Sequence, residues 1–420
     1  MAAARTTPYE EDAPLHDDTR AAARHAVGRT RTIWGGMGRT VLVMVAVLAI
    51  SSVSIAGYGV WHLTAKFKTN AVSLGKDTIP SIAALDGAFN VLLVGADNSP
   101  DQKGFGAARD ATLNDVNILI HVSEDHSRAT IISIPRDLII PQPQCSDPKT
   151  GQEYSAVSAQ PMNTSYSRGG LSCVVATAES LTGMTIPYAA LFSFEGTVKM
   201  ADAVGGVPVC VNKAVDDPDS GLKLKKGVSV VKGRMALAYL RSRHGVGDGS
   251  DLSRIASQQA YMSSLMRKMT SAGTLTDPTK LYGLASAAAS SVTLSESLAD
   301  PDTMVRMALA VKSVGLEHMV FVQYPVGDDP TNPNKVVPST ELATALISRV
   351  QKDEPIGLDK DALGLSTALE KAKKQKSSDS APSAKRSGSP TPGPSASSDV
   401  LAGLRGQTAA QQTCSKAFGS

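Results

Sequence analysis

From Thr40 to Val60 the chain reads TVLVMVAVLAISSVSIAGYGV without a single charge. As a helix, such a stretch is about long enough to cross the hydrocarbon core of a bilayer. Trp34 and Trp61 flank it, at the level where interfacial aromatics belong. Arg20, Arg24, Arg29, Arg31 and Arg39 precede it, and the residues just after it are poorer in positive charge. The positive-inside rule then puts residues 1–39 in the cytoplasm and everything from about residue 62 outside. The run starts too late and is too long for a cleaved signal peptide, and no small-residue cleavage site follows it. The expectation is one uncleaved transmembrane helix, 40–61, in the plasma membrane, with the rest of the chain extracellular.

Composition narrows what that outer part can do. The net charge is +3 with a pI near 8.5, and aromatics make up 4% of the chain. Both are too low for a nucleic-acid groove with stacking platforms, so nucleic acid is excluded as a partner. Cys145, Cys173, Cys210 and Cys414 are even in number and form no CxxC metal pair, which fits disulfides in an oxidising exterior. Four cysteines allow three pairings. A staple from a loop to a helix makes Cys145 with Cys173 the favoured one, with buried free thiols as the alternative.

Residues 1–39 are polar and Arg/Ala-rich with little to bury, and 62–88 read as a helical stalk. From residue 89 to 353 strand and helix signals alternate. FNVLLVG (89–95), VNILIHV (116–122) and ATIISI (129–134) are buried strands. Helices are expected from Gly170 to Leu181, from Phe192 to Val204, over 232–239 and 304–314, with MVFVQY (319–324) as a closing strand. The alternation predicts an α/β fold, an α/β/α sandwich around a central mixed sheet. Residues 354–398 form a Ser/Pro/Lys-rich linker, and 399–420 a C-terminal tail pinned back by Cys414.

The densest chemistry lies in RSRHGVGDGSDLSRIASQQ (241–259). Arg241 and Arg243 alternate, so an extended backbone would send both guanidinium groups from one face. After Gly245, Gly247 and Gly249 a helix begins. Asp251 suits its first turn, and Arg254 and Gln258 follow at +3 and +7 on the same face. Several guanidinium forks around a flexible loop suit a polyanion, phosphate first; a solvated, salt-bridged helix end is the plainer alternative. Upstream, Asp97 follows the first strand and Asp115 precedes the second, so the two carboxylates can share a hard cation such as Mg²⁺. In SIPRD the proline fixes the strand's exit and aims Arg136, with Asp137 next to it and a surface ion pair as the plainer alternative. Asn163 can hydrogen-bond a substrate or simply close a turn.

Taken in order, NVLLVGAD (90–97), LNDVNILIHVS (113–123), SIPRDL (133–138), MNTSYSRGGLSCVV (162–175), LTGMTIPYAALFSFEG (181–196), DAVGGVPVCV (202–211) and KGRMALAYLRSRHGVGDGSDLSRIASQQ (232–259) resemble the LytR-CpsA-Psr family, in its actinobacterial branch. The resemblance covers about 89–270. It implies a single-pass extracytoplasmic enzyme that moves a glycopolymer from a polyprenyl-diphosphate carrier to a peptidoglycan hydroxyl, leaving a phosphodiester. It further implies Asp97 and Asp115 as Mg²⁺ ligands, and Arg136, Arg241, Arg243 and Arg254 as the diphosphate grip with Gln258 beside them. Asp251 becomes the expected base for the acceptor hydroxyl. Many members carry an arginine where this chain has Leu113, and Arg109 is the expected substitute. That departure favours the alternative of a membrane-anchored polyprenyl-diphosphate binding or scaffold protein without transfer activity. Helices 174–181 and 192–204 and strand 319–324 are the expected walls of an apolar slot for the carrier.

Overall fold

The computed structural model describes residues 33–75, 87–97, 112–271, 278–359, 361–363, 366–370 and 400–419. It divides at residue 58/59. Helix α1 (Ile33–Thr69) includes Val41–Thr69, which is long and apolar enough to cross a membrane. The helix ends seven residues after His62, and Val72 then bridges to Ser295, so the helical part of the expected stalk stops at Thr69.

Residues 59–420 are built on a seven-stranded mixed sheet. Its strands are β1 (Phe89–Ala96), β2 (Asn114–Val122), β3 (Ala129–Ile134), β4 (Tyr188–Phe192), β7 (Val292–Leu294), β8 (Met319–Gln323) and β10 (Gly406–Thr408). The spatial order is β7-β4-β1-β2-β3-β8-β10. β1 runs antiparallel to β2 and parallel to β4, while β3 runs antiparallel to β2 and parallel to β8. A second sheet, in the order β6-β5-β11-β9, uses β5 (Val207–Val211), β6 (Gly227–Val231), β9 (Thr367–Leu369) and β11 (Thr413–Ser415).

Apolar residues alternate along the strands, so the sheet buries both faces. Leu92, Leu119, Ile132 and Val322 point to one side, packed with Val174 and Ala178 of α3 (Leu171–Thr182) and Leu346 of α9 (Thr340–Gln351). Val91, Ile118, Ile131 and Phe321 point to the other, packed with Met307 of α8 (Pro301–Ser313). The result is the expected α/β/α sandwich. A single helical turn, α2 (Ser165–Gly169), leads into α3, and Gly183 at φ 63° stops it in the left-handed conformation typical of a C-terminal cap. α4 (Phe194–Ala203), α5 (Gly233–Arg241), α6 (Asp251–Thr270) and α7 (Pro278–Ser291) complete the α-helices among the described residues.

Three expectations need correction. Phe192 ends a strand rather than starting a helix: Ser193, the N-cap, accepts from the Gly196 N–H at 3.0 Å and resets the chain into α4. β8 is not the closing strand, because β10 pairs along its far side. The C-terminal tail is thus part of the domain: Gly406–Thr408 extends the central sheet, and Thr413–Ser415 lies parallel to β5. A Cys210–Cys414 disulfide ties that segment down, and Cys145 is bonded to Cys173.

Candidate functional site

A cleft of about 470 Å³ opens beside the sheet and is roofed by α4, α5 and α6. Its depth is apolar, lined by Val116, Ile118, Met200, Val204, Leu237 and Leu265 among others. Its charged part, the mouth, is lined by Asp115, Arg136, Arg241, Arg243 and Arg254. Of the three expected slot walls only 192–204 lines it. The 174–181 helix packs on the opposite face of the sheet, and the cleft does not reach strand 319–324. Hydrophobic periodicity marks a helix as buried but is silent on which face of a sheet it covers.

The charged mouth begins with a break in the β1–β2 ladder. Gly95 pairs with Val116 but Ala96 pairs with Asn114, so Asp115 is an extra residue without a partner. A bulge of this kind re-aims a side chain. Asp115 and Val116 accordingly both reach the cleft, which strict alternation would forbid. Asp97, one residue past β1, accepts from the Leu113 N–H with Oδ1 at 2.9 Å.

Arg136 leaves β3 through Pro135 and donates from Nη1 to Asp115 Oδ1 at 2.7 Å. Its Nε lies 3.4 Å from Asp137 Oδ2 and 3.5 Å from Asp251 Oδ1. Burial alone would lower the Arg136 pKa, but Asp115, Asp251 and Asp137 outweigh it and raise it. Asp251 sits at the hub. Its Oδ1 also accepts from Arg243 Nη2 at 2.9 Å and faces Arg254 Nη2 at 2.5 Å. Arg254 is 5% exposed and donates to the Asp115 carbonyl at 3.0 Å. Desolvation, then the neighbouring Arg136 and Arg243, push its pKa down against Asp251 and Asp115.

Local sequence explains this placement. Ser250 caps α6, accepting from the Ser253 N–H at 3.1 Å, so Asp251 and Arg254 share the first turn on one face as the spacing predicts. Gly247, at φ 60°, leaves no room for a side chain: a Cβ there would run into Ser253. Arg241, however, is the last residue of α5, not part of an extended strand. It therefore diverges from Arg243 and stacks over Phe194, its guanidinium carbon 4.4 Å from the ring centroid.

The remaining expected residues divide. Gln258 lines the cleft, and its Nε2 donates to the Leu240 carbonyl at 2.9 Å, tying α6 to the end of α5. Asn163 is buried, and its backbone N–H donates to the Arg136 carbonyl at 3.0 Å, fixing the SIPRD turn from below. Arg109 lies outside the described residues. Sequence reading set Asp137 beside Arg136 but missed Lys335. Lys335, on the far hairpin 326–338, donates to Asp137 Oδ1 at 2.7 Å. Burial raises the Asp137 pKa, but that bond and the positive charges of Arg136, Lys335 and Arg243 bring it below the ordinary value. Nearly 200 residues separate Lys335 from its partner, and no local pattern signals such a pair.

Asp115 at the strand bulge, a cluster of guanidinium groups and an apolar stretch thus share one cleft. The LytR_cpsA_psr family model matches residues 60–352, and the chain belongs to that family. It is 32% identical over 312 residues to cell wall biosynthesis protein LcpA of Corynebacterium glutamicum, an alignment covering 68% of this chain and 60% of LcpA. It is 27% identical over 241 residues to the polyisoprenyl-teichoic acid–peptidoglycan teichoic acid transferase TagT of Bacillus subtilis, covering 55% of this chain and 69% of TagT. Among solved structures, protein gbs0355 of Streptococcus agalactiae shares the fold, with a TM-score of 0.54 at 20% identity over 66% of this chain and 91% of that one.

Proposed function

We propose that this protein is a Mg²⁺-dependent phosphotransferase on the outer face of the plasma membrane, moving a glycopolymer from a polyprenyl-diphosphate carrier to a peptidoglycan hydroxyl. The observation that carries this reading is the continuity of the cleft: one cavity joins a guanidinium cluster to an apolar depth. A diphosphate head matches the first and a prenyl chain the second. Arg136, Arg241, Arg243 and Arg254 grip the diphosphate, while Asp251 and Asp137 hold Arg136, Arg243 and Arg254 in place and Phe194 supports Arg241. The hard-oxygen donors Asp97 and Asp115 suit Mg²⁺, and Asp115 commits only Oδ1 to Arg136. Bound there, the ion would offset charge developing on the phosphates.

The acceptor oxygen attacks the phosphorus that bears the glycan. The bond between that phosphorus and the bridging oxygen breaks, polyprenyl monophosphate leaves, and the acceptor proton passes to a base. The teichoic acid transferase activity of TagT supports the reading. The anchor helix would keep the cleft beside a substrate that stays in the bilayer.

The test incubates the purified full-length protein with a synthetic polyprenyl-diphosphate glycan, Mg²⁺ and nascent peptidoglycan. Glycan covalently attached to peptidoglycan, lost on chelation and reduced about 100-fold by Arg241→Ala in a protein that still folds, is the expected result. Carrier bound without transfer would instead make the protein a lipid-carrier scaffold.

A further inference from the structure

Resting on that reading, we propose that His244, oriented by Asp219, is the base that takes the proton from the acceptor hydroxyl. Asp251 is poorly placed for the task. Its Oδ1 faces three guanidinium groups, and Oδ2 is buried without a hydrogen-bond partner. A base for an incoming sugar hydroxyl must instead meet solvent at the rim, where the acceptor arrives.

His244 and Asp219 both line the cleft, as does Arg243. Nδ1 of His244 lies 2.7 Å from Asp219 Oδ2. A carboxylate only accepts, so Nδ1 carries the proton and Nε2 is left with its lone pair. The ring is 61% exposed, open to a large acceptor.

The two residues meet because a buried carboxylate braces both of their loops. Asp217 is 1% exposed. Its Oδ1 accepts from the Asp219 N–H at 3.1 Å and the Ser220 N–H at 3.4 Å, shaping the turn that presents Asp219. Its Oδ2 accepts from Ser220 Oγ at 2.8 Å and from Ser242 Oγ at 2.6 Å, holding the loop that presents His244. These bonds overcome burial and keep the Asp217 pKa below the ordinary value. Gly245 allows the close approach, since a Cβ there would lie 2.6 Å from Ser242 Oγ. Phe418, whose N–H donates to the Gly245 carbonyl at 3.1 Å, sets its ring edge-on to the imidazole at 6.4 Å. Among the described residues, the charged groups near the ring include Asp219 in contact, Asp217 within 4.8 Å and Arg243 beside it in the chain.

In the step, the acceptor O–H bond breaks, its proton goes to Nε2, and the oxygen pair forms the new P–O bond as polyprenyl phosphate departs. The imidazolium so formed is stabilised by Asp219.

The test measures transfer by the full chain in nanodiscs, with a polyprenyl-diphosphate glycan and peptidoglycan acceptor, from pH 5 to 9. Wild type should lose rate on the acid side of this range. His244→Gln should cut kcat about 100-fold with KM for the lipid diphosphate within about twofold, and should flatten the acid limb. Asp219→Asn should fall between the two while keeping the wild-type melting temperature. A His244→Gln protein that keeps both its rate and its acid limb overturns this assignment alone. A wild-type chain that binds the diphosphate through its arginines yet transfers nothing overturns the transferase reading and this one together.

Discussion

The mouth and the depth of the cleft differ in chemistry though they share one cavity. At the mouth, placement is directional: Arg136, Arg243 and Arg254 converge on one carboxylate oxygen of Asp251, and each is aimed by a distinct turn, loop or helix start. In the depth, Ile118, Met200, Val204 and Leu237 fill space with no bond to orient them. Buried charge pairs are unforgiving because removing one partner strands the other in a medium that solvates it poorly. Apolar walls tolerate exchange as long as volume is kept. One region should therefore fail by single atoms and the other by cubic ångströms.

The largest expected effect is at the hub. Asp251→Ala leaves three guanidinium groups facing one another, with Arg254 almost wholly buried. The loss should be about 3–5 kcal/mol in urea unfolding. A loss under about 1 kcal/mol would show that water already neutralises the mouth and would erase the contrast with the depth.

Acid should separate the two regions next. Asp137 has its folded pKa lowered from 3.8, so its contribution is fully present above that value and is lost as pH falls through the lower folded pKa. Melting temperature should fall below about pH 4, and Asp137→Asn should flatten part of that fall. Ile118→Val, in the depth, should cost about 0.5–1.5 kcal/mol by the same measurement, with no change in the acid slope.

How much of this was readable in advance follows the same division. The strands β1–β3 and the α6 face carrying Asp251, Arg254 and Gln258 were legible, because period-2 and period-3.6 patterns are local. The disulfide between Cys145 and Cys173 forms as expected, though Cys145 lies on a two-residue strand rather than in a loop. The Asp115 bulge was not legible, since a ladder slip depends on the partner strand. Nor were β10 and β11: GQT and TCS are short and polar, and become strands only because β8 and β5 offer unpaired edges. Lys335 and Asp219 escaped notice because each acts on a residue brought to it by the fold, not by spacing.

The smallest effect tests the boundary itself, where Arg241 at the mouth stacks on Phe194 at the edge of the depth. Phe194→Leu removes the ring face but keeps an apolar side chain of similar reach. An exposed cation–π contact is worth about 0.5–1 kcal/mol, so affinity for a short-chain prenyl diphosphate should weaken about two- to fivefold. A long-chain prenyl diphosphate should weaken by the same factor, because the lost contact belongs to the head group. Isothermal titration with both ligands decides the point. If only the long chain suffers, Phe194 serves the depth as wall rather than the mouth as platform, and Arg241 must be held by other means.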